Sequence, residues 1–193
     1  MNVAELVAAT KVILGEKAVL ELDEPIELAS GQMSKHFVDG KAGLAQAADL
    51  RLACQAMHAQ VEAAGIEYDA VGGLTLGADH LAVGVALVSD KRWFFIRKEP
   101  KGRGTGKQIE GASVGDGSRV VVVEDVVSTG TSMFQAIDVL QAAGANVVAA
   151  CTLLDRGGHA DAKLAERGIP YLPIASYRDF GMPPVSAGSS TSG

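Results

Sequence analysis

The apolar positions of this chain fall into short unbroken runs closed by polar, glycine-rich turns, and these alternate with longer stretches in which apolar residues recur every three or four positions. The clearest run is Val120-Val121-Val122-Val123. Four β-branched residues in succession predict a strand buried on both faces, as in a parallel sheet covered by helices on each side. Glu124 and Asp125 follow, where that strand is expected to end, and after Val126 and Val127 comes a run of small hydroxyl residues around a glycine: Ser128, Thr129, Gly130, Thr131 and Ser132. Met133, Ile137 and Leu140 then take up helical spacing.

The alternation extends in both directions. Residues 3–14 predict a helix with Leu6, Val7, Thr10 and Leu14 on one stripe. Residues 18–22 and 27–29 read as short extended pieces around a turn at Asp23-Glu24-Pro25, and 30–39 as a turn followed by a strand. A long Ala/Leu-rich helix is expected over 43–64, stopped by Gly65. Residues 68–71 predict a strand, 72–79 a glycine-rich turn, and a helix runs on through Leu87. Trp93-Phe94-Phe95-Ile96 is a short strand, and 109–111 leads to a turn at Asp116-Gly117. Beyond the Ala143-Gly144 stop, 146–154 predicts a second buried strand, 160–167 a short helix and 171–175 a last strand. Strands alternating with helices predict an α/β fold, with a central mostly parallel sheet flanked by helices. There is no internal repeat and no linker, so residues 1–185 are expected to form one domain and the small, polar 186–193 a disordered tail.

Composition narrows the function. A chain of 193 residues, 48% of them hydrophobic, can bury a sizeable core. It has no apolar run of the ~20 residues needed to span a bilayer and no signal-peptide pattern, so no membrane partner is expected. Cys54 and Cys151 are two lone cysteines in apolar surroundings, read as buried thiols of a cytoplasmic protein. A net charge of −6 argues against nucleic acid, which requires a basic face. Yet Lys91, Arg92, Arg97, Lys98, Lys101, Arg103 and Lys107 place seven of the 17 Lys and Arg residues within 17 positions. Such focusing suits a compact polyanion. Residues 98–107, with three glycines and a proline, predict a mobile cationic loop: either a solvated basic hairpin or a lid that closes over a pyrophosphate.

Ligands of open α/β sheets bind at the carboxyl ends of strands, and a helix N-terminus offers unpaired N–H groups to an anion. The 128–132 turn therefore reads as a phosphate site, and Glu124 with Asp125 as acceptors for a diol. A phosphorylated ribose carries both groups. The 72–79 turn is a candidate second phosphate cradle. Arg156, at the end of the second buried strand, either recognises a carboxylate bidentately or pairs with Asp155 or Asp161. His36 and His58 read as structural, His80 and His159 receive no role, and no set of side chains has metal-ligand spacing.

Residues 120–132 resemble the 5-phosphoribosyl-1-pyrophosphate (PRPP) motif of type I phosphoribosyltransferases: a hydrophobic strand, two acids, two variable residues and a Ser/Thr-rich glycine loop. Ser30-Gly31-x-x-Ser34-x-His36-Phe37-x-Asp39 is similar to the segment whose backbone frames the pyrimidine in orotate phosphoribosyltransferases, with His36 where an aromatic is usual. Arg97-Lys98-Glu99-Pro100-Lys101-Gly102-Arg103-Gly104 resembles that family's basic loop, except that Arg103 replaces a His, keeping charge but losing a group that titrates near neutrality. Ala29 and Gly77 stand where members often carry a Lys.

The resemblance spans 30–158 and implies the type I phosphoribosyltransferase fold with a small N-terminal hood from about residue 18 to 40. It implies transfer of phosphoribose from PRPP to orotate, giving orotidine 5′-monophosphate and pyrophosphate, on a homodimer with shared active sites. Lys101 and Asp125 would be catalytic. PRPP would be bound by Arg97, Lys98, Lys101, Arg103, Glu124, Asp125, Val126, Val127, Ser128, Thr129, Gly130, Thr131 and Ser132, and orotate by Ser128 and Arg156. Mg²⁺ would arrive mainly through PRPP rather than on a protein metal site. Transfer to another base, or a silent PRPP-binding regulator, are the alternatives.

Overall fold

The computed structural model of the chain describes residues 1–28, 30–100 and 107–185. Asn2 starts the first helix, α1 (Val3–Lys17), with a reciprocal cap: its side chain accepts from the Glu5 N–H while Glu5 accepts from the Asn2 N–H. The chain then forms an antiparallel hairpin, β1 (Val19–Glu27) and β2 (Met33–Val38), within the segment expected to make the hood. Asp23, Glu24 and Pro25 do not end a strand, as the sequence suggested. They sit in an irregularity of β1 between Glu21 and Ile26, a place where a proline without an N–H is tolerated.

The helix expected over 43–64 is present as α3 (Ala47–Ala63), starting four residues later, and a separate short turn that the sequence did not suggest, α2 (Gly40–Gly43), precedes it. Asp39 caps α2 by accepting from the Ala42 N–H at 3.0 Å, and Gly43 presses so closely on Ala18 that a Cβ there would lie 2.5 Å from the Ala18 Cβ. The tertiary contact with the root of the hairpin, not local propensity, sets the break. Next come β3 (Ala70–Leu74), α4 (Asp79–Ser89), β4 (Arg92–Ile96), β5 (Ile109–Gly111), β6 (Arg119–Val127), α5 (Thr131–Ala142), β7 (Asn146–Asp155), α6 (Ala160–Glu166) and β8 (Tyr171–Ser176).

Six of these strands make one sheet in the order β5-β4-β3-β6-β7-β8, parallel except for β5. The valine run explains its two-sided burial. Val121 and Val123 enter the core under α1, α3 and α4 with Leu14, Met57, Leu81 and Val85, while Val120 and Val122 enter the core under α5 and α6 with Met133, Ile137, Leu140 and Leu164. The order of connections reverses between β3 and β6, which opens a crevice at their carboxyl ends. Pairing of β3 with β6 stops at Gly72 and Val122, whereas β6 stays paired with β7 to Val127 and Asp155. Glu124 and Asp125 thus lie inside β6, not beyond its end.

Candidate functional site

The crevice gathers its side chains from five elements. Glu124 and Asp125 are both buried although charged residues rarely are. Asp125 is held from several sides: its Oδ1 accepts from the Val126 N–H at 2.8 Å, its Oδ2 from Lys41 Nζ at 2.9 Å, and its carbonyl from Thr152 Oγ1 at 3.2 Å. Glu124 Oε2 is buried with no hydrogen-bond partner. Burial, reinforced by the neighbouring Asp125 carboxylate, pushes Glu124 from its ordinary 4.5 up to about 8. A buried acceptor left open in a crevice is poised for a ligand that brings hydroxyls or positive charge.

Beyond β6 the chain turns through Ser128 and Thr129 to Gly130, which has φ +83° and precedes the first residue of α5. That left-handed geometry suits glycine, and a Cβ there would come within 2.6 Å of the Phe134 ring. Thr129 and Thr131 share a 2.9 Å hydroxyl contact. Val126, Val127, Ser128, Thr129, Gly130, Thr131 and Ser132 line a cavity of about 320 Å³ together with Glu124, Met133 and Ser30, whose buried Oγ has no partner. No side chain caps α5, so its first N–H groups face this cavity uncapped.

Arg156 is only 3% exposed. Its Nη1 donates to the His36 carbonyl at 3.1 Å, and its Nε and Nη2 are buried without a partner. Burial lowers its pKa from the ordinary arginine value. Of the two sequence readings, pairing with Asp155 fails: Asp155 Oδ1 accepts instead from the N–H groups of Gly157 and Gly158, at 3.0 and 2.8 Å. No ion pair joins Arg156 to Asp161 among the described residues. Two donors on one edge of the guanidinium are therefore buried and unpaired. Gly157 packs directly on the Ser128 carbonyl, which ties the Arg156 end of the crevice to the 128–132 turn.

The glycine-rich stretch 72–79 is not one turn. Gly72 and Gly73 belong to β3, and each is a glycine because a Cβ would overlap a neighbouring strand's carbonyl, that of Phe94 or Val123. Residues 75–78 form the turn, and there Gly77 abuts the diacid: a Cβ would overlap Glu124 Oε1 and stand 2.8 Å from Asp125 Oδ1. The turn expected over 72–79 is therefore shorter than the sequence suggested.

Of the basic loop, Arg97 and Lys98 are described and exposed; Lys101 and Arg103 lie outside the described residues, as does Ala29. The loop's roots are pinned by the Arg97 N–H donating to the Gln108 carbonyl at 2.9 Å and by Gln135 of α5 donating to the Lys98 carbonyl at 2.9 Å. This second bond places the loop's first root beside the helix that carries the phosphate turn. Sequence reasoning missed Lys41. Its contact with Asp125 spans 84 positions, and nothing local marks it. His58 hydrogen-bonds Tyr68 at 3.1 Å, and His159 the Val185 carbonyl at 3.1 Å, both away from the diacid. Among the described residues no helix is long and apolar enough to cross a membrane.

The phosphoribosyl transferase domain family matches residues 45–167. The orotate phosphoribosyltransferase of Corynebacterium glutamicum (strain R) is 35% identical over 183 residues, 94% of this chain and 93% of that protein. Among solved structures, a phosphoribosyltransferase from Corynebacterium diphtheriae superposes with a TM-score of 0.76 at 35% identity, covering 92% of this chain and 99% of that one. The orotate phosphoribosyltransferase of Mycobacterium tuberculosis H37Rv, solved in complex with PRPP, gives 0.72 at 27% identity over the same shares.

Proposed function

Because the chain belongs to the orotate phosphoribosyltransferases of the phosphoribosyl transferase domain family, we propose how its own residues divide the reaction among them. The activity is transfer of the 5-phosphoribosyl group from PRPP to orotate, yielding orotidine 5′-monophosphate and pyrophosphate in pyrimidine nucleotide synthesis. The observation that carries the assignment of parts is the coexistence, on one sheet edge, of an uncapped hydroxyl-rich turn, an open buried diacid and an unpaired buried guanidinium.

The 5′-phosphate of PRPP sits on the turn from Ser128 to Ser132, held by the N–H groups at the start of α5 and by the hydroxyls around them. Glu124 and Asp125 accept from the 2- and 3-hydroxyls of the ribose. Arg156 offers Nε and Nη2 to the orotate carboxylate, and Ser128, linked to it through Gly157, completes the base subsite. The base nitrogen then displaces pyrophosphate at C1 with inversion, through an oxocarbenium-like state. Asp125, beneath the sugar, stabilises the positive charge developing on it. Lys101, with Arg97, Lys98 and Arg103, neutralises the departing pyrophosphate, each contact worth ~2–4 kcal/mol of barrier. The donor set suits Mg²⁺ carried by PRPP: hard carboxylate oxygens, one of them open at Glu124, beside a diphosphate. When bound, the ion would neutralise negative charge that develops on the departing pyrophosphate. The working form is a cytoplasmic homodimer whose basic loop reaches into the partner's site.

The test is pyrophosphate release from PRPP with a panel of bases. Orotate should be used at least ~10²-fold more efficiently than uracil, which lacks the carboxylate, and Arg156→Ala should erase most of that difference while leaving the KM for PRPP within about twofold. Equal use of both bases by the unaltered protein would overturn the role given to Arg156.

A further inference from the structure

The turn at 75–78 has no cation, and position 77, which faces the diacid, has no room for one: any side chain there would begin inside the van der Waals shell of Glu124 Oε1. The diacid nevertheless holds one ammonium close, and it comes from the opposite side of the crevice. Lys41 lies on α2, a single turn fixed at one end by Asp39, whose side chain caps it and whose N–H donates to the Ala18 carbonyl at 2.9 Å. At the other end Gly43 presses on Ala18. Gly40 seats this turn on the site: a Cβ there would stand 3.2 Å from the Asp125 Cβ. From this base Lys41 Nζ reaches Asp125 Oδ2 at 2.9 Å.

As a fold-stabilising ion pair the contact is weak, because the lysine side chain is 55% exposed and water screens it. Its geometric consequence is larger. Val126 on Oδ1 and Lys41 on Oδ2 hold the Asp125 carboxylate from two sides, one donor on each oxygen, and Glu124 adds a side-chain hydrogen bond to it. Glu124 keeps Oε2 wholly open. Asp125 is thus fixed on both oxygens, while Glu124 has one oxygen open.

We propose that Lys41 is a positioning residue of the ribose subsite: from α2 it supplies the cation that the 75–78 turn lacks and holds Asp125 in the one orientation that accepts from the sugar diol. This rests on the assignment of the diacid to the ribose hydroxyls. The charged groups around the pair are Glu124 beside Asp125 on β6, Asp39 at the foot of α2, and His80 at the start of α4, which senses both Asp125 and Lys41. The lysine charge also opposes the upward shift of Glu124, so its loss lets the diacid take up protons at higher pH.

Steady-state kinetics of Lys41→Ala, Lys41→Arg and Asp125→Asn tests this, with calorimetric titration of PRPP plus Mg²⁺ as an independent measure of binding. Lys41→Ala should raise the KM and Kd for PRPP about tenfold while the KM for orotate moves less than twofold. The acid limb of the PRPP profile should move to higher pH, and Lys41→Arg should recover most of both effects. A PRPP KM within twofold of the parent, or equal rises for both substrates, overturns the proposal. If Asp125→Asn is then still impaired for PRPP, the ribose assignment survives without Lys41. If Asp125→Asn is also normal, that assignment falls with it.

Discussion

Glu124 shows how far one residue's environment can depart from its chemistry in water. In the unfolded chain its carboxyl titrates near its ordinary 4.5; folded, it titrates near 8, chiefly through burial. Between those values the native state binds the extra proton, so stability falls as pH rises from about 5 to about 8 and is lowest where the group is forced to ionise. Glu124→Gln removes this linkage. Its melting temperature should exceed the parent's by several degrees at pH 8 and by little at pH 5; an equal gain at both pH values would mean that the carboxyl is not the source. That the acid pair and Arg156 stand at the carboxyl side of buried strands was legible from type and position, but their roles came only with the family resemblance, since Arg156 alone could equally have paired with Asp155 or Asp161. Which acid is fixed and which is open was not legible, since Lys41 is a partner that only tertiary structure supplies.

Among the elements, β3 and β6 carry the lesson about glycine. Gly72, Gly73 and Gly77 look alike in sequence and do different work: the first two let neighbouring strands approach, and the third lets a turn approach the diacid. A phosphate cradle and a tight sheet both need a missing Cβ, so composition cannot separate them. Substitution can. Gly72→Ala should cost about 1–3 kcal/mol of stability, because its Cβ meets the backbone carbonyl of Phe94 rather than a flexible side chain. Denaturant unfolding should show that loss, while the folded fraction keeps a KM for PRPP near the parent's. A variant of undiminished stability with weakened PRPP binding would return Gly72 to the phosphate site. The later start of the helix expected over 43–64 has the same root: Gly43 ends the separate turn α2 and packs on Ala18, a contact that helical periodicity does not record.

Across the whole molecule, the hairpin is tied to the sheet at the crevice proposed to hold the substrates. Arg156 of the β7 end donates to the carbonyl of His36 on β2, and Lys41, just past β2, grips Asp125 on β6. The outward residues of the hairpin are largely exposed, among them Leu20, Ile26, Met33 and Phe37, and the two polar ties link the hairpin to the crevice by orientation more than by stability. A ligand that orders Arg156 and the diacid must therefore steady the hairpin as well. Saturation at 100 times Kd adds about 2.7 kcal/mol to the folded state as a whole. Amide exchange should show protection rising most in residues 33–43, beyond the uniform increase that global stabilisation gives, when orotidine 5′-monophosphate is bound. In Arg156→Ala the extra protection should shrink while the protection of α5, at the phosphate turn, persists. Protection confined to α5 in the parent protein would mean that the hairpin stands apart from the site, and that its contacts with Arg156 and α2 carry no coupling.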